Sequence, residues 1–142
     1  LPKGLNDRLM TIRIPFSKGS FLSLISAYAP TMRYSDEDEE EFYSALREAI
    51  HSVPREDKLL LLGDFNAWVG SNCTAWLKVM GPHGVGNANS NGHLLLSLCT
   101  EEELTITNTT FQHPERHKAT WMHPRSKHCL HYNQATRYPG HH

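Results

Sequence analysis

Asp64 and Asn66 stand two positions apart in Gly63-Asp64-Phe65-Asn66, directly after the unbroken apolar run Leu59-Leu60-Leu61-Leu62. On an extended chain, residues two apart point the same way, so Asp64 and Asn66 share a side while Phe65 turns into the core. A carboxylate beside an amide suits a hard cation, or an attacking water held against a phosphate oxygen. The same residues also suit an Asp/Asn turn that closes a strand, and spacing alone leaves both open. Tyr28, in Ala27-Tyr28-Ala29-Pro30, is another polar side chain at the end of an apolar stretch. Its hydroxyl could donate to a phosphate, or its ring could serve packing.

The flanking pattern supplies elements to hold these residues. Met10, Ile12, Ile14 and Phe16 alternate with Thr11, Arg13 and Pro15, the period of a half-buried strand. Ser17-Lys18-Gly19-Ser20 is turn chemistry, and Phe21 to Tyr28 resumes as a second strand, so the two form a hairpin. Ser35 with Asp38 has the form of a capping box, and the acids from Asp36 to Glu41 suit the positive end of a helix. Phe42, Leu46, Ala49, Ile50 and Val53 follow at helical spacing until Pro54. The Leu run lacks alternation, which predicts a strand covered on both faces. A helix feeding such a strand points to a layered α/β architecture, with the ligand site beyond the strand's carboxyl end. Residues 70–91 read as a long loop, residues 92–104 as a helix capped by Asn91, and residues 105–109 as a short β-branched segment. Residues 119–122 offer one more strand. Beyond Cys129 neither period survives.

With 142 residues the chain is long enough for one domain with its own core. The net charge of -1 conceals an asymmetry: from Thr105 onward Arg116, Lys118, Arg125, Lys127 and Arg137 face a single acid, Glu115, amid many histidines. That third could lie against a polyanion, or be a solvated basic surface. Cys73, Cys99 and Cys129 are too few and too scattered for a disulfide framework and suit a reducing compartment. His113-x-x-x-His117 with Cys129-x-His131 lacks the paired cysteines of structural zinc sites. No apolar run approaches the roughly 20 residues of a membrane span, and Leu1 opens no signal peptide, so no membrane association is expected. The start at Leu1-Pro2-Lys3 reads as a piece cut from something longer.

The order Tyr28-Ala29-Pro30, helix, Gly63-Asp64-Phe65-Asn66, Asn91-Gly92, Thr120-Trp121 resembles the endonuclease/exonuclease/phosphatase superfamily. Residues 6–10 (Asn-Asp-Arg-Leu-Met), 24–32, His83-Gly84-Val85-Gly86 and 121–128 resemble more narrowly the endonuclease domain of RTE-type LINE retrotransposons and the related craniofacial development protein 2 group. The resemblance runs from Gly4 to His128. It implies a partial four-layered α/β sandwich (the DNase I-like fold), truncated at both ends, with residues 129–142 as a divergent tail. It also implies Mg²⁺-dependent phosphodiester hydrolysis, DNA as partner, and an intracellular location, the nucleus included.

Carried over by position, Asp64 orients or deprotonates the attacking water, Asn66 helps hold the scissile phosphate and Tyr28 hydrogen-bonds it. Thr120, Asn91 and Trp121 fall on the substrate side, although Trp121 also reads as structural and Asn91 as a helix cap. Asp64 is the candidate metal contact. The family's metal-binding Glu would precede this chain, and its closing Asp-His pair is missing. Where the family has an apolar strand ending in Asp-Tyr, this chain has Cys129-Leu130-His131-Tyr132-Asn133-Gln134, with Asn133 near the Asp position. A shifted reading frame or alternative exon would account for residues 129–142. The expectation is an endonuclease fragment, inactive or weakly active as it stands. The alternative is a domesticated retrotransposon-derived module that binds nucleic acid or protein. Oligomeric state is left open.

Overall fold

The computed structural model describes residues 1–112, 121–122, 125, 129–130 and 133–137. In chain order the elements are β1 (Lys3–Gly4), β2 (Leu9–Ser17), β3 (Ser20–Tyr28), α1 (Asp36–Ser52), β4 (Lys58–Asp64), α2 (Ser90–Glu101) and β5 (Thr105–Ile106). A short 3-10 turn (Thr107–Thr109), β6 (Trp121–Met122), β7 (Cys129–Leu130) and β8 (Asn133–Arg137) follow. Six strands form one mixed sheet in the order β1-β2-β3-β4-β8-β5, and β6 pairs with β7 separately.

The hairpin forms as its alternation predicts. β2 and β3 are antiparallel from Leu9↔Ala27 to Pro15↔Phe21, and Gly19 takes the left-handed conformation (φ 81°) that the turn requires. Pro15 is tolerated because β1 reaches β2 only at Met10 and Thr11, leaving the proline on an open edge. From β3 the chain crosses through α1 to β4, which lies parallel to β3 from Leu22↔Lys58 to Tyr28↔Asp64. Parallel neighbours need such a crossover, since a tight turn cannot join them. Ser35 caps α1: its Oγ accepts from Asp38 N (3.2 Å) while Asp38 Oδ2 accepts from Ser35 N (3.3 Å). Phe42, Tyr43, Leu46, Ala49 and Ile50 form the helix's buried side.

Two expectations change. The Leu run does alternate in burial: Leu59 and Leu61 are buried, whereas Leu60 and Leu62 are only half-buried. One face of the sheet, carrying Ile25, Leu59, Leu61 and Ala135, joins the apolar sides of both helices in a single buried cluster. Each of those large side chains contributes about 1.5–3 kcal/mol by leaving water. The other face carries Met10, Ile12, Ile14, Leu22, Leu24, Leu60 and Leu62 and is only partly covered, with Met10 47% exposed. Leucines on both faces imitate a doubly covered strand in sequence even though helices seal one side only.

The second change concerns the carboxy-terminal segment. Residues 133–137, which show no period, form β8, an interior strand antiparallel to both β4 and β5. Its buried positions are Asn133 and Ala135, a polar and a small residue, so it carries no apolar signature. Residues 119–120 of the further strand read from sequence lie outside the described residues; Trp121–Met122 is β6, paired with β7.

Candidate active site

The parallel ladder carries Tyr28 and Asp64 to the same end of the sheet as register partners, and therefore onto the same face. That face is the half-open one. Gly63 lets the two strands close up here, because a Cβ at this position would overlap the Ala27 carbonyl oxygen. Phe65 is buried, as expected. Asn66 departs from the extended chain, with φ 48°. Asp64 Oδ1 accepts from Asn66 N (2.9 Å), so the Asp/Asn turn is present. The turn leaves Asp64 Oδ2 without a hydrogen bond among the described residues. The Tyr28 hydroxyl has none either, and that side chain is 54% exposed.

The asparagines are mostly committed to bracing. Asn66 Nδ2 donates to Ala29 O (2.9 Å) and Ala29 N to Asp64 O (2.8 Å), which fastens the turn after β4 to the turn after β3. Asn91 is not the cap of α2. Asn89 is, its Oδ1 accepting from Gly92 N (2.7 Å) and Trp68 N (3.0 Å). Asn91 is the second residue of the helix, 2% exposed, and its Nδ2 donates to Pro30 O (3.2 Å) and Asn66 O (3.1 Å). Gly92 follows because any side chain there would run into the Trp68 carbonyl. Asn133 begins β8 opposite Gly63 and donates from Nδ2 to Ala67 O (3.1 Å). Asn66, Asn91 and Asn133 therefore hold the strand-end loops in place, and Tyr28 and Asp64 are the side chains left facing outward. Thr120 lies outside the described residues, as do His113, His117 and His131. Trp121 is fixed only as a backbone position in β6.

Arg8 is the residue that sequence reasoning did not assign. Its guanidinium carbon sits 5.5 Å from the centre of the Tyr28 ring and 5.1 Å from that of Tyr34, and Nη1 donates to Tyr28 O (3.1 Å). Asn6 Oδ1 orients this segment by accepting from Arg8 N and Leu9 N. The contact joins residues 20 positions apart, so no local pattern announces it.

Chemically, a carboxylate with a free oxygen can take a proton from water, and a phenol can donate to an anionic oxygen. A phosphodiester about 4 Å from Asp64 would be repelled by about 4 kcal/mol at an intermediate dielectric, so a cation must accompany it. Among the described residues no three His, Cys, Asp or Glu side chains could hold a metal ion together. Magnesium prefers near-octahedral oxygen coordination, and Asp64 alone does not supply it. The described residues thus do not make a complete Mg²⁺ site. Among them, too, no helix is long and apolar enough to cross a membrane, and Cys73 and Cys99 are free thiols. Burial pushes the Cys99 thiol up to about 12.

Fold and site together define a mixed α/β protein with a polar corner where two parallel strands end. No family model matches the chain. It is similar to craniofacial development protein 2 of Bos taurus, 36% identical over 122 residues, and to that of Tragulus javanicus, 34% identical over 122 residues. Each match covers 84% of this chain and 20% of the relative, so the chain spans about a fifth of the length of the curated relatives it matches.

Proposed function

We propose that Tyr28, Asp64 and the loops braced by Asn66 are the water-orienting, phosphate-binding corner of an endonuclease/exonuclease/phosphatase-type phosphodiesterase acting on DNA. The observation that carries this reading is the register pair Tyr28↔Asp64, with a hydroxyl and a carboxylate oxygen on one face that have no hydrogen bond among the described residues. Asp64 would align a water and take its proton. Tyr28 would hydrogen-bond a phosphate oxygen. Asn66 would act mainly through the loops it ties. The half-covered apolar face of the sheet supports a further layer, as a four-layered sandwich would have. Mg²⁺ in this chemistry would need ligands beyond Asp64, and the reading extends to a fragment that is inactive or weakly active as it stands.

The test is DNA binding and nicking by the whole chain. We expect salt-dependent binding without measurable nicking of supercoiled plasmid in Mg²⁺ or Mn²⁺. In EDTA, Asp64→Asn removes a charge that repels phosphate and should tighten binding roughly fivefold or more. Absence of salt-dependent binding would sink the phosphate assignment. Nicking that disappears in Asp64→Ala would show the corner to be complete. The alternative, a module that binds through the basic residues 113–137, expects salt-dependent binding that ignores Asp64→Asn.

A further inference from the structure

We infer that Arg8, held between Tyr28 and Tyr34, is a phosphate clamp for a nucleic-acid strand with an unstacked base, and that Tyr34 is the ring on which that base stacks. The inference rests on the phosphate reading above and adds to it the kind of strand the corner accepts.

Arg13 and Arg47 have carboxylate partners, Asp57 and Glu101, at hydrogen-bonding distance. Arg8 has no carboxylate partner among the described residues. Its contacts are the two rings and one carbonyl. Two nearby rings and one carbonyl hold the guanidinium while using few of its five donors, leaving a fork of the kind that suits phosphate oxygens. The fork stands over Tyr28, the register partner of Asp64, so it supplies positive charge where a phosphate would otherwise meet only a carboxylate. Asp7, Asp38 and Glu41 line a small hollow with Arg8 and Tyr34, but none of them pairs with the guanidinium. Tyr34 is 51% exposed, so a partly open aromatic ring adjoins the fork. An aromatic beside a basic group is how proteins hold single strands: bases stack and phosphates pair. A fully stacked duplex offers the ring no free base face.

The test is fluorescence anisotropy in EDTA with a labelled single-stranded oligonucleotide and its duplex, across a salt series. Arg8→Gln should weaken single-strand binding and flatten the logarithmic salt slope by about 0.7, the loss of one phosphate contact. Arg8→Lys should keep most of that slope. Tyr34→Ala should weaken single-strand binding about 5- to 100-fold with little change in slope or in duplex binding, and Tyr34→Phe should restore it. Thermal unfolding of each variant checks that the fold persists, and the two conservative variants carry the test if either truncation unfolds. Wild-type binding that all four substitutions leave unchanged would overturn this inference alone. Equal losses on single strand and duplex for Tyr34→Ala would overturn the stacking. A wild-type chain that binds neither would overturn the phosphate reading itself.

Discussion

Two aspartates flank the parallel strand β4, Asp57 just before it begins and Asp64 where it ends. Asp57 is 1% exposed and accepts three side-chain hydrogen bonds. Arg13 grips it with Nε (2.7 Å) and Nη2 (2.8 Å), and Ser23 Oγ adds a third bond (2.7 Å). The Phe21 ring backs the guanidinium at 3.9 Å. Asp64 is half-buried, receives one backbone N–H and leaves an oxygen open. One carboxylate is buried with both oxygens engaged. The other is under-committed on an accessible face. What marks a candidate site is thus not the presence of an acid at a strand end but how few of its acceptor positions the fold consumes.

The largest expected effect falls at the closed end. Asp57→Ala should cost about 2–3 kcal/mol in urea unfolding. The lower end of the range for a broken buried pair applies because Arg13 is 46% exposed and regains water. The Arg13 hydrogen bonds, with help from Ser23, hold the Asp57 carboxyl below its ordinary value against the opposing pull of burial. A depressed folded-state value means the stabilisation is complete above the usual carboxylate range, near pH 4, and is lost as pH falls through the lower folded value. The stability gap between wild type and Asp57→Asn should therefore narrow below about pH 4. A constant gap down to the acid limit would show that the ionised pair contributes nothing.

Between the two ends lies Asn91, which uses its amide to tie the loops that present Asp64. Asn91→Ala removes two hydrogen bonds and strands the buried Pro30 carbonyl, for an expected loss of about 1–2 kcal/mol by the same measurement. It should also speed amide exchange at Asn66 and Ala29, whose loops lose their clamp. Unchanged exchange there would mean that Asn89 and Asn66 hold the corner unaided.

Much of this was legible in sequence. The hairpin, α1 and β4 carry strong periods, and Ser35/Asp38 mark the helix start, because the residues that set these elements are close in the chain. The strand-end positions of Tyr28 and Asp64 were legible for the same reason. What escaped depends on distant partners. β8 joins the sheet through Asn133, which is polar, and Ala135, which is too small to stand out as an apolar signal. In Asn89-Ser90-Asn91-Gly92 two asparagines could each cap α2, and only the positions of Trp68 and Pro30 decide that Asn89 caps while Asn91 braces. Asn66 reads as a companion ligand to Asp64 until Ala29, from another turn, claims its amide.

The smallest expected effect is the one on which the comparison turns. Asp64→Ala removes a single hydrogen bond at a half-exposed position, so unfolding should change by no more than about 0.5–1 kcal/mol. Asp64→Asn, which keeps an acceptor for Asn66 N, should change it by less than about 0.5 kcal/mol, the range of an ordinary surface substitution. These values are small beside that for Asp57→Ala, although both residues are aspartates adjoining one strand. If Asp64→Ala proved as costly as Asp57→Ala, the carboxylate would be a turn residue that the fold requires, and its open oxygen would no longer argue for chemistry. If instead stability holds while DNA affinity rises in EDTA, the residue is one the fold can lose and the phosphate can sense. Measuring both in the same variant separates the two, because a structural carboxylate moves the first quantity and a site carboxylate moves the second.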